Sequence, residues 1–312
     1  MAAVARTPRR ARSATHSACS RGSSVVAVVA AALIAFFVAR FGVEKHAQPQ
    51  SLRPPTIEYD KLSSTPLVYL LSGLLSSEEC DELVALGGPR MRPSEMGAAG
   101  SDPAGDEDQP ASNRTSWSMF FDTPVDADEP LLTRLRQRWA EAARAPLSQA
   151  EPTQLSRYAQ GQSYGLHLDA SEEVPRRVTL LTYLSDVSSG GETTFPRIAP
   201  DASAASVDAG GLMRPLAKLA AAGLLSKELA NGEKYCSTER AVLRVAPRKG
   251  DGLLFFPLHP DGTADHDAVH GGCAVRGRDD VKWIAQQWFT YSNEVEYPTE
   301  ASSLNFEVEP QV

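Results

Sequence analysis

The chain has 312 residues, 42% apolar and 22% charged, which is ordinary globular chemistry with ample chain for a sizeable core. Six arginines and no acid precede residue 44, so the remainder sets 25 basic against 39 acidic side chains; an acidic body of this kind excludes a general nucleic-acid binder. Four cysteines (Cys19, Cys80, Cys236 and Cys273) are too few and too scattered for a disulfide scaffold, and no CxxC pair points to a zinc knuckle.

Residues 1–24 form a basic tail rich in Arg, Ser and Ala. The apolar run that follows extends from Val25 to Ala39, and reaches Val43 if Arg40 snorkels to the interface. The 19 residues 25–43 would span roughly 28 Å as a helix at about 1.5 Å per residue, close to a bilayer core. Positive charge before the run predicts a single-pass transmembrane signal-anchor with a cytoplasmic N-terminus and a translocated body. A cleaved signal peptide and an organellar transit peptide are the alternatives. Residues 44–64, with Pro49, Pro54 and Pro55, read as a linker.

Beyond the linker, Leu67–Leu71 is a short apolar strand. Ser76-x-x-Glu79 is a capping box that opens a helix through Cys80, Leu83, Val84 and Leu86 and stops at Gly87-Gly88. Glu95–Ser112, rich in Gly, Ala, Pro and acid, reads as a mobile loop. Ser116–Phe121 is a strand, and Asp128–Arg144 a helix with Leu131, Leu132, Leu135, Trp139 and Ala142 on one face. Short apolar runs follow at Val178–Leu184, Ala241–Ala246, Gly252–Pro257, Ala268–Val275 and Trp283–Tyr291, separated by Gly, Pro and Asp turns and interrupted by one inserted helix over Arg214–Ala230. Many short strands after two helices predict a mainly β domain, an antiparallel barrel or jelly roll flanked by helices.

Tyr164-Gly-Leu-His167-Leu-Asp169 opens the strand-rich part. On a strand, residues i and i+2 face one side, so His167 and Asp169 can reach one ion, and His270 on a later strand is the candidate third ligand. Two imidazoles and one carboxylate leave positions open, the pattern of non-haem Fe(II) oxygenases, whereas a closed zinc site wants four ligands and usually sulfur. His259 and His266 read as loop residues because Pro260, Asp261 and Gly262 oppose a helix there.

Seven segments carry a family resemblance: LSSEECDELV (75–84), RTSWSMFF (114–121), RYAQGQSYGLHLDA (157–170), LTYLSDVSSGGETTFP (181–196), APRKGDGLLFFPL (246–258), DGTADHDAVHGGCAV (261–275) and KWIAQQWF (282–289). In this order and spacing they resemble the prolyl 4-hydroxylase catalytic domain of the 2-oxoglutarate/Fe(II) dioxygenase superfamily, above all its plant and algal membrane-anchored type. The resemblance implies a double-stranded β-helix (jelly-roll) domain over 65–293, followed by a C-terminal tail, 294–312. It implies His167, Asp169 and His270 as iron ligands, Lys282 as the cation for the distal carboxylate of 2-oxoglutarate, Tyr158 beside that cosubstrate, and Thr179 and Trp288 lining the pocket. It further implies O2 as oxidant, L-ascorbate as the reductant that rescues iron, and a proline-rich peptide or protein as substrate, hydroxylated at C4 of proline. An endoplasmic reticulum membrane location with a lumenal body follows, the Golgi being the alternative. Two departures stand out: a slightly longer interval from His270 to Lys282, and an insertion between Pro196 and Ala241. The other readings are a 2-oxoglutarate oxygenase acting on another side chain or a free amino acid, and a catalytically silent binding module. In an oxidising lumen Cys80, Cys236 and Cys273 could include one disulfide, Cys236–Cys273 being no more than a guess among the pairings, and buried free thiols are the commoner state of scattered cysteines. Asn113-Arg-Thr115 is a glycosylation sequon.

Overall fold

The computed structural model describes residues 56–94, 114–171, 173–200, 213–230 and 232–290. The apolar run 25–43, the tails, the loop Glu95–Ser112 and Asn113 of the sequon lie outside these residues. Among the described residues no helix is long and apolar enough to cross a membrane.

Two antiparallel sheets stack face to face. The larger holds eight strands in the order β1-β2-β10-β7-β12-β5-β4-β3, and the smaller holds four, β6-β11-β8-β9. Their ranges are β1 Glu58–Ser64, β2 Leu67–Ser72, β3 Arg92–Pro93, β4 Trp117–Phe121, β5 Thr153–Tyr158, β6 Tyr164–His167, β7 Arg176–Tyr183, β8 Thr193–Phe195, β9 Leu243–Val245, β10 Gly252–Phe255, β11 His270–Gly272 and β12 Lys282–Thr290. This is a mainly β core with flanking helices, as a jelly roll requires. The stretch Glu58–Ser64, read from sequence as the end of a linker, is a strand. Its polar residues hid it, because β1 is an edge strand that pairs only with β2 and presents charge to solvent.

The period of two explains the layering. On β12, Ala285 and Phe289 join Leu155, Leu180 and Leu254 against the helices, whereas Ile284 joins Tyr158, Leu181, Tyr183 and Phe255 against the smaller sheet. Helix α1 (Ser77–Gly87) begins at Ser76, with both arms of the capping box formed, a contribution of about 1 kcal/mol. Its Glu79 also accepts from Arg138 Nη1 at 2.5 Å, tying α1 to a later helix. That helix, α3 (Pro130–Ala142), is preceded by the single turn α2 (Pro124–Ala127), and buries Leu131, Leu132, Leu135 and Trp139. Truncating such a residue to Ala costs about 2–5 kcal/mol.

The inserted segment is two short helices, α4 (Leu216–Ala221) and α5 (Leu225–Ala230), where the sequence suggested one. Gly223 at φ 65° lies between them and ends the first, as a left-handed glycine commonly does. Leu216 and Leu219 pack with Leu166, Met213, Tyr235, Val242 and Val269 in a small third core behind β6. Disulfide Cys236–Cys273 then ties the end of the insertion to the residue just after β11. Cys80 is a buried free thiol.

Candidate metal and cosubstrate site

β6 and β11 are neighbours in the smaller sheet, and their register sets His270 directly across from His167. His167 is the last residue of β6; the chain then bends, so Asp169 reaches the site from just beyond the strand rather than from within it. His167 Nε2 lies 3.6 Å from Asp169 Oδ1, and His270 Nε2 lies 3.7 Å from Asp169 Oδ2. The three ligand atoms fall within 4.8 Å of one another, and no other such group of His, Cys, Asp or Glu occurs among the described residues. His259 is exposed beside Asp265, and His266 starts a short turn of 3₁₀ helix; neither joins the group.

Each imidazole is anchored through its other nitrogen. His167 Nδ1 lies 2.9 Å from the carbonyl of Gly165, and His270 Nδ1 lies 3.1 Å from that of Ala268. Donation to those carbonyls places the proton on Nδ1 and leaves each Nε2 lone pair free for a metal. The His270 ring is packed by Phe255 and Phe195 at 4.6 and 5.6 Å between centroids. Burial, with His167 beside it, pushes this imidazole down to about 4, so it is neutral at neutral pH. For Asp169, burial alone would raise the carboxyl, but the facing His270 and His167 hold it well below the usual carboxylate range. Thr179 Oγ1 and Trp288 Nε1 both donate to Asp169 Oδ2, at 2.7 and 3.2 Å. These two residues, expected on the pocket wall, instead fix the carboxylate and lie outside the cavity lining.

The cavity beside the triad is lined by His167, His270, Tyr158, Tyr164, Lys282 and Gln286, with Leu181, Ile284 and Thr193 completing the wall. Lys282 and Tyr158 are direct neighbours across the β5–β12 ladder. The lysine is 2% exposed, and its ammonium lies 5.6 and 5.7 Å from the ring centroids of Tyr158 and Tyr183. It forms no ion pair among the described residues. Burial pushes it down to about 8, Glu192 partly opposing. Gly190, at φ 75°, closes the turn before Glu192 and Thr193, and a Cβ there would stand 2.2 Å from the Ala274 carbonyl; only glycine fits that turn.

Sequence reasoning gave no role to four residues that the structure places near the triad. Tyr164 stacks on His167 at 3.8 Å, and the Arg114 guanidinium lies 4.7 Å over the Tyr164 ring. Arg176 covers Trp288 at 4.1 Å while holding Glu151 through two 2.8 Å hydrogen bonds. Gln286 lines the cavity; counting in twos from Lys282 along β12 would have found it.

The donor set fits a non-haem Fe(II): two imidazoles that each turn Nε2 to the site and one ionised carboxylate, with room for further ligands. A buried cation with no direct ion pair among the described residues, Glu192 acting on it only at longer range, fits a ligand that brings a carboxylate.

Comparison with known proteins agrees with that chemistry. The model of the 2OG-Fe(II) oxygenase superfamily matches residues 153–290. Probable prolyl 4-hydroxylase 6 of Arabidopsis thaliana is 33% identical over 235 residues, 73% of this chain and 70% of the relative. Probable prolyl 4-hydroxylase 4 of the same plant is 31% identical, over 73% of this chain and 68% of the relative. Among solved structures, the viral collagen prolyl hydroxylase of Paramecium Bursaria Chlorella virus-1, in its 2-oxoglutarate complex, aligns with 72% of this chain and 96% of its own at 20% identity and a TM-score of 0.45.

Proposed function

This chain belongs to the prolyl 4-hydroxylases of the 2-oxoglutarate/Fe(II) oxygenase superfamily, and from that premise we propose that it hydroxylates C4 of proline within a peptide, at the His167–Asp169–His270 centre. The observation that carries this reading is one cavity shared by an open metal triad and the buried ammonium of Lys282. Bound Fe(II) and 2-oxoglutarate would supply, with O2, the oxidising power that puts a hydroxyl on an unactivated C–H, the cosubstrate leaving as succinate and CO2. The protein's part is arrangement. His167, Asp169 and His270 hold the metal on one side only. Lys282 neutralises a cosubstrate carboxylate where water is scarce, and Tyr158 walls that end. Phe195, Phe255, Leu181 and Ile284 keep the site apolar, which shields a reactive oxidant from water.

The natural substrate is a proline-rich secretory polypeptide, and ascorbate keeps the iron reduced. The chain is anchored by residues 25–43 with its body in the lumen of the endoplasmic reticulum, the Golgi being the second choice. The Cys236–Cys273 bond supports an oxidising compartment, and the arginines ahead of the apolar run support the orientation. Extended proline-rich chains suit such a site because they are stiff and lose little entropy on binding.

The test is to incubate the purified full chain with a proline-rich peptide, Fe(II), 2-oxoglutarate and ascorbate in air. The expected result is a gain of one oxygen atom per modified proline, 4-hydroxyproline on hydrolysis, and no product from Asp169→Ala. Hydroxylation of free L-proline in preference to the peptide, or of another side chain, would point to a different 2-oxoglutarate oxygenase. Absence of any turnover with intact metal binding would point to a binding module.

A further inference from the structure

Gln286 is 4% exposed and lines the cavity with His167, His270 and Lys282. Its Oε1 is buried without a hydrogen-bond partner, and its Nε2 makes no bond among the described residues. The neighbouring glutamines differ. Gln287 accepts from Thr153 and donates to the carbonyls of Glu151 and Trp288, and Gln154 accepts from Arg114. Three other buried polar side-chain atoms lack partners, on Trp139, Gln149 and Thr182, and none of these residues lines the cavity. An unsatisfied buried amide is a standing cost. Here it borders the one space among these sites that a ligand would fill.

The order of residues along β12 narrows the identity of that ligand. Alternation puts Lys282, Ile284, Gln286 and Trp288 on one face, and Trp288 is bonded to the metal-ligating Asp169. Gln286 therefore stands between the cation and the clamp on the metal carboxylate. A dicarboxylate with one end on Lys282 and the other at the metal must run along this face. Its ionised carboxyl and keto oxygens are acceptors only, and an amide supplies the matching N–H. Rotation about the terminal torsion exchanges the two ends of the amide, so the N–H can be turned to the arriving acceptor.

We propose that Gln286 donates a hydrogen bond to the α-keto acid end of 2-oxoglutarate, forming with Lys282 a cradle that binds both ends of the cosubstrate; this rests on the 2-oxoglutarate reading above. The residue supplies direction without charge, so it discriminates the keto acid end without competing with Lys282.

The test uses the full chain loaded with Mn(II), with 2-oxoglutarate binding followed by calorimetry in wild type, Gln286→Leu and Gln286→Glu. Gln286→Leu is expected to weaken 2-oxoglutarate about tenfold or more, the loss of one hydrogen bond to an ionised group, while Mn(II) affinity measured alone is unchanged. Gln286→Glu, nearly isosteric, sets an anion against the ligand and is expected to bind more weakly still. It decides the matter if the leucine variant does not fold. A second readout is the charge-transfer absorption of the anaerobic Fe(II)–2-oxoglutarate complex, expected to shift in both variants, which a merely structural residue would leave in place. Wild type that binds 2-oxoglutarate, with variants that match it within about twofold, overturns this inference alone. Wild type that binds Mn(II) but no 2-oxoglutarate overturns the functional reading and this inference together.

Discussion

Trp288 Nε1 and Thr179 Oγ1 converge on one oxygen, Asp169 Oδ2, at 3.2 and 2.7 Å. The two residues are themselves paired across the β7–β12 ladder, so the central strands of the larger sheet reach over to orient a carboxylate that follows β6 of the smaller one. Partners of metal ligands typically contribute 10–100-fold in metal affinity. Trp288→Phe and Thr179→Val are each expected to weaken Mn(II) binding about tenfold by calorimetry, with Asp169 still present. Unchanged affinity in both would mean that Asp169 is held by the fold alone.

Lys282→Ala should raise the half-saturating 2-oxoglutarate concentration about 100-fold and leave metal affinity nearly intact. The pH dependence has a definite sign. The carboxylate needs the ammonium form, and burial lowers the lysine to about 8. Affinity is therefore expected to be flat below pH 8 and to fall above it, about tenfold per unit. Lys282→Arg stays charged throughout this range, so its profile should remain flat. Calorimetry between pH 6.5 and 9.5 checks both expectations. An identical decline in the arginine variant would assign the titration to another group.

The chemistry was legible in the sequence where it rested on period and spacing. His167, Asp169 and the helical face Leu131–Leu135–Trp139 follow directly from such patterns, and the core of α1 from its capping box. What the sequence hid depends on long-range pairing. That His270 lies opposite His167 is a register between strands more than 100 residues apart. Thr179 and Trp288 were placed on the pocket wall by the resemblance alone, and their bonds to Asp169 depend on a cross-sheet contact that no local pattern shows. β1 was missed because an edge strand need not alternate strongly. The two-helix insertion was read as one helix because the Ala/Leu pattern outweighed a single glycine at 223.

The Cys236–Cys273 bond spans 37 residues of sequence, and a loop of that size gives about 3–4 kcal/mol in the chain-entropy account. Cys236→Ser with Cys273→Ser is expected to lower the thermal midpoint by about 10 °C. Because Cys273 lies three residues past His270, Mn(II) affinity should fall as well. A melt that is the same with and without reductant would remove the bond from the account of stability.

Alkaline carbonate extraction should leave the full-length chain in the membrane pellet, and protease added to intact microsomes should spare the body beyond the apolar run. Release of a shortened chain into the soluble fraction would favour a cleaved signal peptide.

The open side of the metal site can be identified from exposure. The Asp169 and His270 side chains are 4% and 3% exposed, whereas that of His167 is 17% exposed. On the proposed reading, a peptide would approach over His167 and over Tyr164, whose ring stacks on it. The Arg114 guanidinium lies 4.7 Å over that ring, and it donates to Ser116, Gln154 and Ser156 at 2.9–3.1 Å. One planar fork thus ties the segment just before β4 to β5 and β6. Lysine has a single ammonium, so it cannot reach all three acceptors or stack flat on the ring. Arg114→Lys should cost about 2–3 kcal/mol of stability through unsatisfied buried acceptors and raise the peptide KM about tenfold. The 2-oxoglutarate KM should change little, because on the proposed reading the cosubstrate carboxylate would sit on Lys282 at the Tyr158 end. Equal rises in both KM values would mean that Arg114 supports the whole cavity rather than its peptide side, and an unchanged peptide KM would place the approach elsewhere.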